Sequence, residues 1–172
     1  MSTRAPFFTG APAECSFALT DHHGREVTDA DYRGRFLLVY FGFTHCRVVC
    51  PRALARLSET LSLLGDLADR IHPLYFTVDP ARDSPATMKA FLEPRYPRFT
   101  GLTGTPEQVE AAKRTFRVFA QRAADPEDAS GYAVPHSALS YLVGPDGQYI
   151  THFPDAIDRD ELARRLREFM GH

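Results

Sequence analysis

Apolar positions recur along the chain in two rhythms, unbroken runs and three-to-four-residue stripes, and their order lays out the elements. Phe36 to Phe41 is an unbroken apolar run, the pattern of a strand buried on both faces. From Pro51 to Asp69 the apolar positions are Leu54, Leu57, Leu61, Leu64 and Leu67, with Arg52, Arg56, Glu59 and Asp66 between them. That spacing predicts an amphipathic helix. Pro51 is tolerated only in a first turn, so the helix is expected to begin close to residues 46–50. Leu74 to Val78 predicts a second buried strand. Asp79-Pro80-Ala81-Arg82-Asp83-Ser84-Pro85 predicts a loop that ends in a helix cap, with Pro85 at the first helical position. That helix carries Met88, Phe91 and Leu92 and stops before Pro94 or Pro97. Phe99 to Leu102 predicts a short strand. Thr105-Pro106-Glu107-Gln108 opens another helix, with Val109, Ala112, Phe116 and Phe119 on one face. Residues 121–135 lack periodicity and predict a long loop. Leu139–Val143 and Gln148–Phe153 flank Gly144-Pro145-Asp146-Gly147, a hairpin signal. Leu162, Leu166 and Phe169 mark a final helix. Near the start, Phe17–Leu19 and Val27 flank Asp21-His22-His23-Gly24, which predicts a hairpin with both histidines in a surface turn.

This order predicts an α/β sandwich of the thioredoxin type: a central mixed sheet flanked by helices, with an additional N-terminal hairpin. Residues 1–14 read as an extended segment, which leaves residues 15–172 as the domain. A chain of 172 residues fits one domain with a sizeable core. Its net charge of −2 gives no reason to expect nucleic acid or an anionic membrane surface as partner. The longest apolar run, Phe36 to Phe43, falls far short of the roughly 18 residues a membrane helix needs. Met1-Ser-Thr-Arg-Ala-Pro lacks the apolar core of a signal peptide. The expectation is a cytosolic chain or one whose leader or anchor has been removed.

Chemistry concentrates between the first apolar run and the first stripe, in Phe41-Gly42-Phe43-Thr44-His45-Cys46-Arg47-Val48-Val49-Cys50-Pro51. Cys46 and Cys50 are two of the chain's three cysteines. Helical residues four apart share a face, and the free N–H groups and positive dipole end of a helix start favour thiolate. Two chemistries fit. Dithiol–disulfide exchange is open, because helical rise puts the two Cα atoms about 6 Å apart, within the roughly 4.4–6.8 Å that disulfides accept. The spacing is nevertheless not the Cys-x-x-Cys of dedicated thioredoxin-like oxidoreductases. A soft metal is open too. Structural zinc wants four protein ligands, and the remaining Cys15 is distant and reads as a non-ligand residue. Two thiolates plus one imidazole suit copper, whose Cu(I) form prefers soft sulfur.

Seven histidines are present. His22 and His23 fall in the predicted turn, His72 precedes a strand, His152 ends one and His172 is terminal. His45 diverges from its neighbouring thiol. His136 stands just before the Leu139–Val143 strand, whose start approaches the cysteine-bearing helix in thioredoxin-type topology. It is the candidate third ligand. Asp79, Arg82 and Asp83 admit an acid/base reading, but the Ser84-Pro85 helix start explains them better as a cap with a local ion pair.

Three separated motifs together resemble the Sco/SenC family. They are Tyr40-Phe41-Gly42-Phe43-Thr44-His45-Cys46-x-x-x-Cys50-Pro51, Val78-Asp79-Pro80-x-Arg82-Asp83-Ser84-Pro85, and His136-Ser137 with Tyr141-Leu142-x-x-Pro145-Asp146-Gly147. Thr20-Asp21-x-x-Gly24, Val27-Thr28-Asp29 and Gly34 are similar to that family's N-terminal hairpin region. The resemblance implies a thioredoxin-like fold, a copper site made by Cys46, Cys50 and His136, and a redox-active Cys46–Cys50 pair. It implies copper delivery to, or cysteine reduction in, the binuclear copper centre of cytochrome c oxidase. The implied partners are subunit II of that oxidase or another copper protein, and a thioredoxin-like reductant. Nucleic acid has no place in this set, and a membrane enters only through a leader or anchor. The resemblance also implies the periplasmic side of a bacterial inner membrane, ahead of the mitochondrial intermembrane space. Two departures stand out: Arg47-Val48 replaces the family's usual Pro-Asp, and Pro135 replaces its usual Asp before the histidine. Arg47 favours ionised thiolates, and the loss of both acids bears on partner choice.

Overall fold

The computed structural model describes residues 15–44, 49–118, 123–124, 132–133 and 139–171. Its centre is β3 (Phe36–Gly42), buried along its whole length. Strand alternation divides its side chains between two cores. Phe36, Leu38 and Tyr40 enter one, while Leu37, Val39 and Phe41 enter the other. The unbroken apolar run therefore reports a strand covered on both faces.

The first core is closed by helices α1 (Val49–Leu64), α2 (Pro85–Leu92) and α4 (Arg159–Met170). Leu54, Leu57 and Leu61 of α1 and Leu162, Leu166 and Met170 of α4 are each 1% exposed or less. The second core takes Val109, Ala112 and Phe116 from α3 (Pro106–Phe116) and Cys15, Phe17 and Leu19 from the N-terminal side. Phe17 meets Phe76 edge-on at 5.0 Å between centroids, a favoured aromatic geometry.

One mixed seven-stranded sheet runs through the domain. In spatial order it is β2 (Glu26–Thr28), β1 (Ala18–Asp21), β5 (Thr100–Thr103), β4 (Ile71–Thr77), β3, β8 (Leu139–Val143) and β9 (Tyr149–Pro154). β3, β4 and β5 are parallel and the remaining pairings antiparallel. The N-terminal hairpin extends this sheet through β1, where Thr20 pairs with Thr103. Gly42, Thr77 and Thr103 end the three parallel strands at one edge. Tyr40 pairs with Ser140, so β8 begins at that same edge. In open α/β sheets such carboxyl ends are where ligands bind.

The thioredoxin-type α/β architecture matches the expectation, with three local corrections. The first helix stops at Leu64 and not Asp69, because Gly65 adopts the left-handed region (φ +59°) that glycine reaches without a Cβ penalty. Residues 65–70 follow as a 3-10 turn. The expected loop at 121–135 contains a ribbon, β6 (Ala123–Ala124) paired antiparallel with β7 (Tyr132–Ala133). In α4 it is Met170 that is buried, whereas Phe169 is 37% exposed. Residues 1–14 and Phe119 lie outside the described residues.

Candidate metal centre

Gly42 is the last residue of β3, and Val78 donates its N–H to the Gly42 carbonyl at 2.8 Å. Phe43 is buried and Thr44 half-buried. Helix α1 resumes the description at Val49, which puts the Cys50 backbone in its first turn, one residue before Pro51. Those first N–H groups have no intrahelical partner, so a proline costs nothing there. Cys46, the Cys50 side chain and His136 lie outside the described residues. What is described is their framework: the end of β3, the start of α1 and the start of β8 at Leu139.

The segment after β4 braces this edge. Asp83 is fully buried. Its carboxylate accepts from the Thr44 N–H at 3.1 Å, the Thr44 hydroxyl at 2.5 Å and the Thr77 hydroxyl at 2.7 Å. Burial raises the Asp83 pKa against the lowering effect of these bonds. Asp79 pairs with Arg82, and the Arg82 guanidinium lies 5.7 Å from the Phe43 ring centroid, within cation–π range. Ser84 caps α2 by accepting from the Thr87 N–H at 3.2 Å. The cap and local ion pair match the sequence reading. Asp83 adds a role that reading missed, reaching 39 positions back to Thr44. The available signal was three threonines, Thr44, Thr77 and Thr103, each at or just past a strand's carboxyl end.

The histidines sort by their partners. His22 is buried, 7% exposed, contrary to the surface turn expected for it. Its Nδ1 accepts from the Gly101 N–H of β5 at 2.9 Å, which leaves the neutral ring's proton on Nε2. His22, His23 and Glu93 bring ligand atoms within 4.8 Å of one another. A metal there would need the Nε2 lone pair that this hydrogen bond removes, so the cluster does not suit one. His72 lies inside β4, not before it, with Nε2 2.8 Å from Thr100 Oγ1. His152 Nδ1 lies 2.7 Å from the Tyr149 hydroxyl. Cys15 is 3% exposed, and burial pushes its thiol up to about 12. A thiol so shifted is inert at neutral pH, in keeping with a non-ligand role. Among the described residues, no helix is long and apolar enough to cross a membrane.

A family model described as SCO1/SenC matches residues 9–171. Protein sco1 of Schizosaccharomyces pombe is 38% identical over 157 residues, covering 90% of this chain and 59% of the relative. The chain thus spans little more than half the length of that curated relative. Among solved structures, Bradyrhizobium japonicum ScoI with copper bound superposes with a TM-score of 0.82 at 36% identity, over 92% of this chain and 99% of that one. Yeast Sco1 with copper bound superposes with a TM-score of 0.83 at 34% identity, over 91% and 88%.

Proposed function

The chain belongs to the SCO1/SenC family, and from that premise we propose that it is a copper metallochaperone. Copper is its cargo, held by the Cys46 and Cys50 thiolates and the His136 imidazole. The destination is the binuclear copper centre of cytochrome c oxidase, reached through subunit II or another copper protein. The site of action is the periplasmic side of a bacterial inner membrane. The observation that carries the reading is positional: the Cys50 backbone sits in the first turn of α1, beyond the carboxyl end of β3. The copper-bound relatives and the start of β8 at the same edge support it.

The donor set fits copper by its chemistry. Two soft thiolates favour Cu(I), and an added imidazole gives Cu(II) a ligand it prefers. The helix start stabilises both thiolates before metal arrives. Exchange of the Cys46 and Cys50 thiolates with a partner disulfide, which takes the two electrons and leaves as two thiolates, joins Cys46 to Cys50 and removes both sulfurs as ligands. Reduced protein is therefore expected to bind one copper per chain and oxidised protein none. Equal loading of both forms contradicts the proposal.

A second reading, thiol–disulfide exchange, is favoured by the same helix start on a thioredoxin-type sheet. There one thiolate attacks a partner disulfide and the other resolves the mixed disulfide. The partner gains two thiols and the Cys46–Cys50 disulfide forms, to be reset by a thioredoxin-like reductant. His136→Ala separates the readings. A chaperone loses Cu(II) affinity strongly, whereas an oxidoreductase keeps its exchange rate.

A further inference from the structure

Past Gly42 the chain leaves the ladder that pairs β3 with β4, whose last partners are Gly42 and Thr77. Its next described anchor is the Asp83 carboxylate. One oxygen of Asp83 takes both the Thr44 N–H and the Thr77 hydroxyl, and the other takes the Thr44 hydroxyl. The Asp83 carbonyl accepts from the Thr103 hydroxyl at 2.6 Å. Asp83 thereby ties Thr44 to the end of β4 while its own main chain is tied to the end of β5. Thr44 is the last described residue before the cysteine loop and stands two positions before Cys46.

This arrangement costs stability to build. A fully buried carboxylate loses its hydration, and buried ionic networks are often no more stabilising than apolar packing of the same volume. The α2 cap does not need Asp83, because Ser84 supplies it. What the carboxylate supplies is an acceptor for the Thr44 main-chain N–H, which can only donate, at the point where the loop departs. The same turn holds the preceding residue, with the Arg82 guanidinium over the Phe43 ring.

We propose that Asp83 is a positioning residue for the Cys46–Cys50 dithiol, fixing through Thr44 where and in what direction the chain leaves the sheet toward Cys46. The inference rests on the thiol and copper reading of Cys46 and Cys50 above. Positioning matters because disulfides tolerate a narrow range of sulfur geometry, and groups that orient metal ligands tune affinity.

Four variants test it: Asp83→Ala, Asp83→Asn, Thr44→Val and Thr103→Val, each checked for folding by circular dichroism and urea unfolding. Two properties are read. One is Cu(II) affinity with its thiolate charge-transfer band. The other is the equilibrium constant of the dithiol against glutathione, which needs no copper. Asp83→Ala is expected to shift both, weakening copper binding by about 10–100-fold, the range for groups that orient ligands. Thr44→Val shifts both less, since its N–H remains. Asp83→Asn keeps an oxygen for the Thr44 N–H and recovers most of the parent behaviour. Thr103→Val loosens the tie of the Asp83 main chain to β5 but keeps every bond between Asp83 and Thr44, so it lowers the unfolding midpoint and shifts both properties less than Asp83→Ala does. Folded Asp83→Ala and Thr44→Val proteins that keep the parent's affinity, band and equilibrium constant overturn the proposal, as does Thr103→Val shifting them equally. Should Asp83→Ala not fold, Thr44→Val decides. Should the parent bind no copper, the chaperone reading fails, and the dithiol equilibrium still decides the role of Asp83.

Discussion

His72 is the second residue of β4, with its ring edge-on to Tyr32 at 4.8 Å between centroids. Burial first, and the Arg35 charge second, push its pKa down from 6.5 to about 4. The unfolded chain therefore takes up this proton at a higher pH than the folded protein does. Stability is fully present above pH 6.5, falls as the pH drops toward 4, and falls no further from this group below that. His22 and His152 are lowered by burial in the same direction and add to the trend. Urea midpoints measured across this window are expected to drop, with His72 contributing on the order of 2 kcal/mol once its partial exposure is allowed for. His72→Gln should flatten the curve by that amount. An unchanged slope in the variant assigns the loss to other groups. At this scale the sequence reveals chemistry-bearing residues but not their partners. His22 reads as a turn residue from its neighbours alone. It is buried because the Gly101 N–H, 79 positions away, needs an acceptor.

Among the elements, α1 both holds the Cys50 backbone and seals the first core. Leu57 is fully buried and Leu63 is 41% exposed on the same helix. Leu57→Ala is expected to cost about 2–5 kcal/mol, the range for large-to-small changes in a packed core. Leu63→Ala should stay within about 0.5 kcal/mol of the parent, as surface changes do. Urea unfolding of the two variants checks both figures, and equal losses would contradict the assigned face. Helical and strand periodicities were legible because each is local. The stop of α1 was not, since a Leu67 that fits the stripe outweighed a glycine whose left-handed conformation only the fold imposes. Leu67 does pack against the core, but from the 3-10 turn. The β6–β7 ribbon was invisible for a related reason. Two-residue strands of alanine and tyrosine have too few positions to display alternation.

At the scale of the molecule, the sheet order brings three distant segments to one edge: the loop after β3, the turn after β4 and the start of β8. Motif order in the chain was enough to read the family, whereas Cys46, Cys50 and His136 as one ligand set remains the proposal made above. Strand order was not readable from periodicity, and neither was the Thr44–Asp83–Thr77 clasp, whose bonds depend on β3 and β4 lying parallel in register. The central claim is that Cys46 and Cys50 together carry one copper. Anaerobic titration of the reduced protein with Cu(II), followed by absorption, tests it directly. Saturation at one copper per chain with a thiolate-to-copper charge-transfer band, both lost in the Cys46→Ala, Cys50→Ala double variant, is the result expected. Stoichiometric binding retained by that double variant would contradict the account.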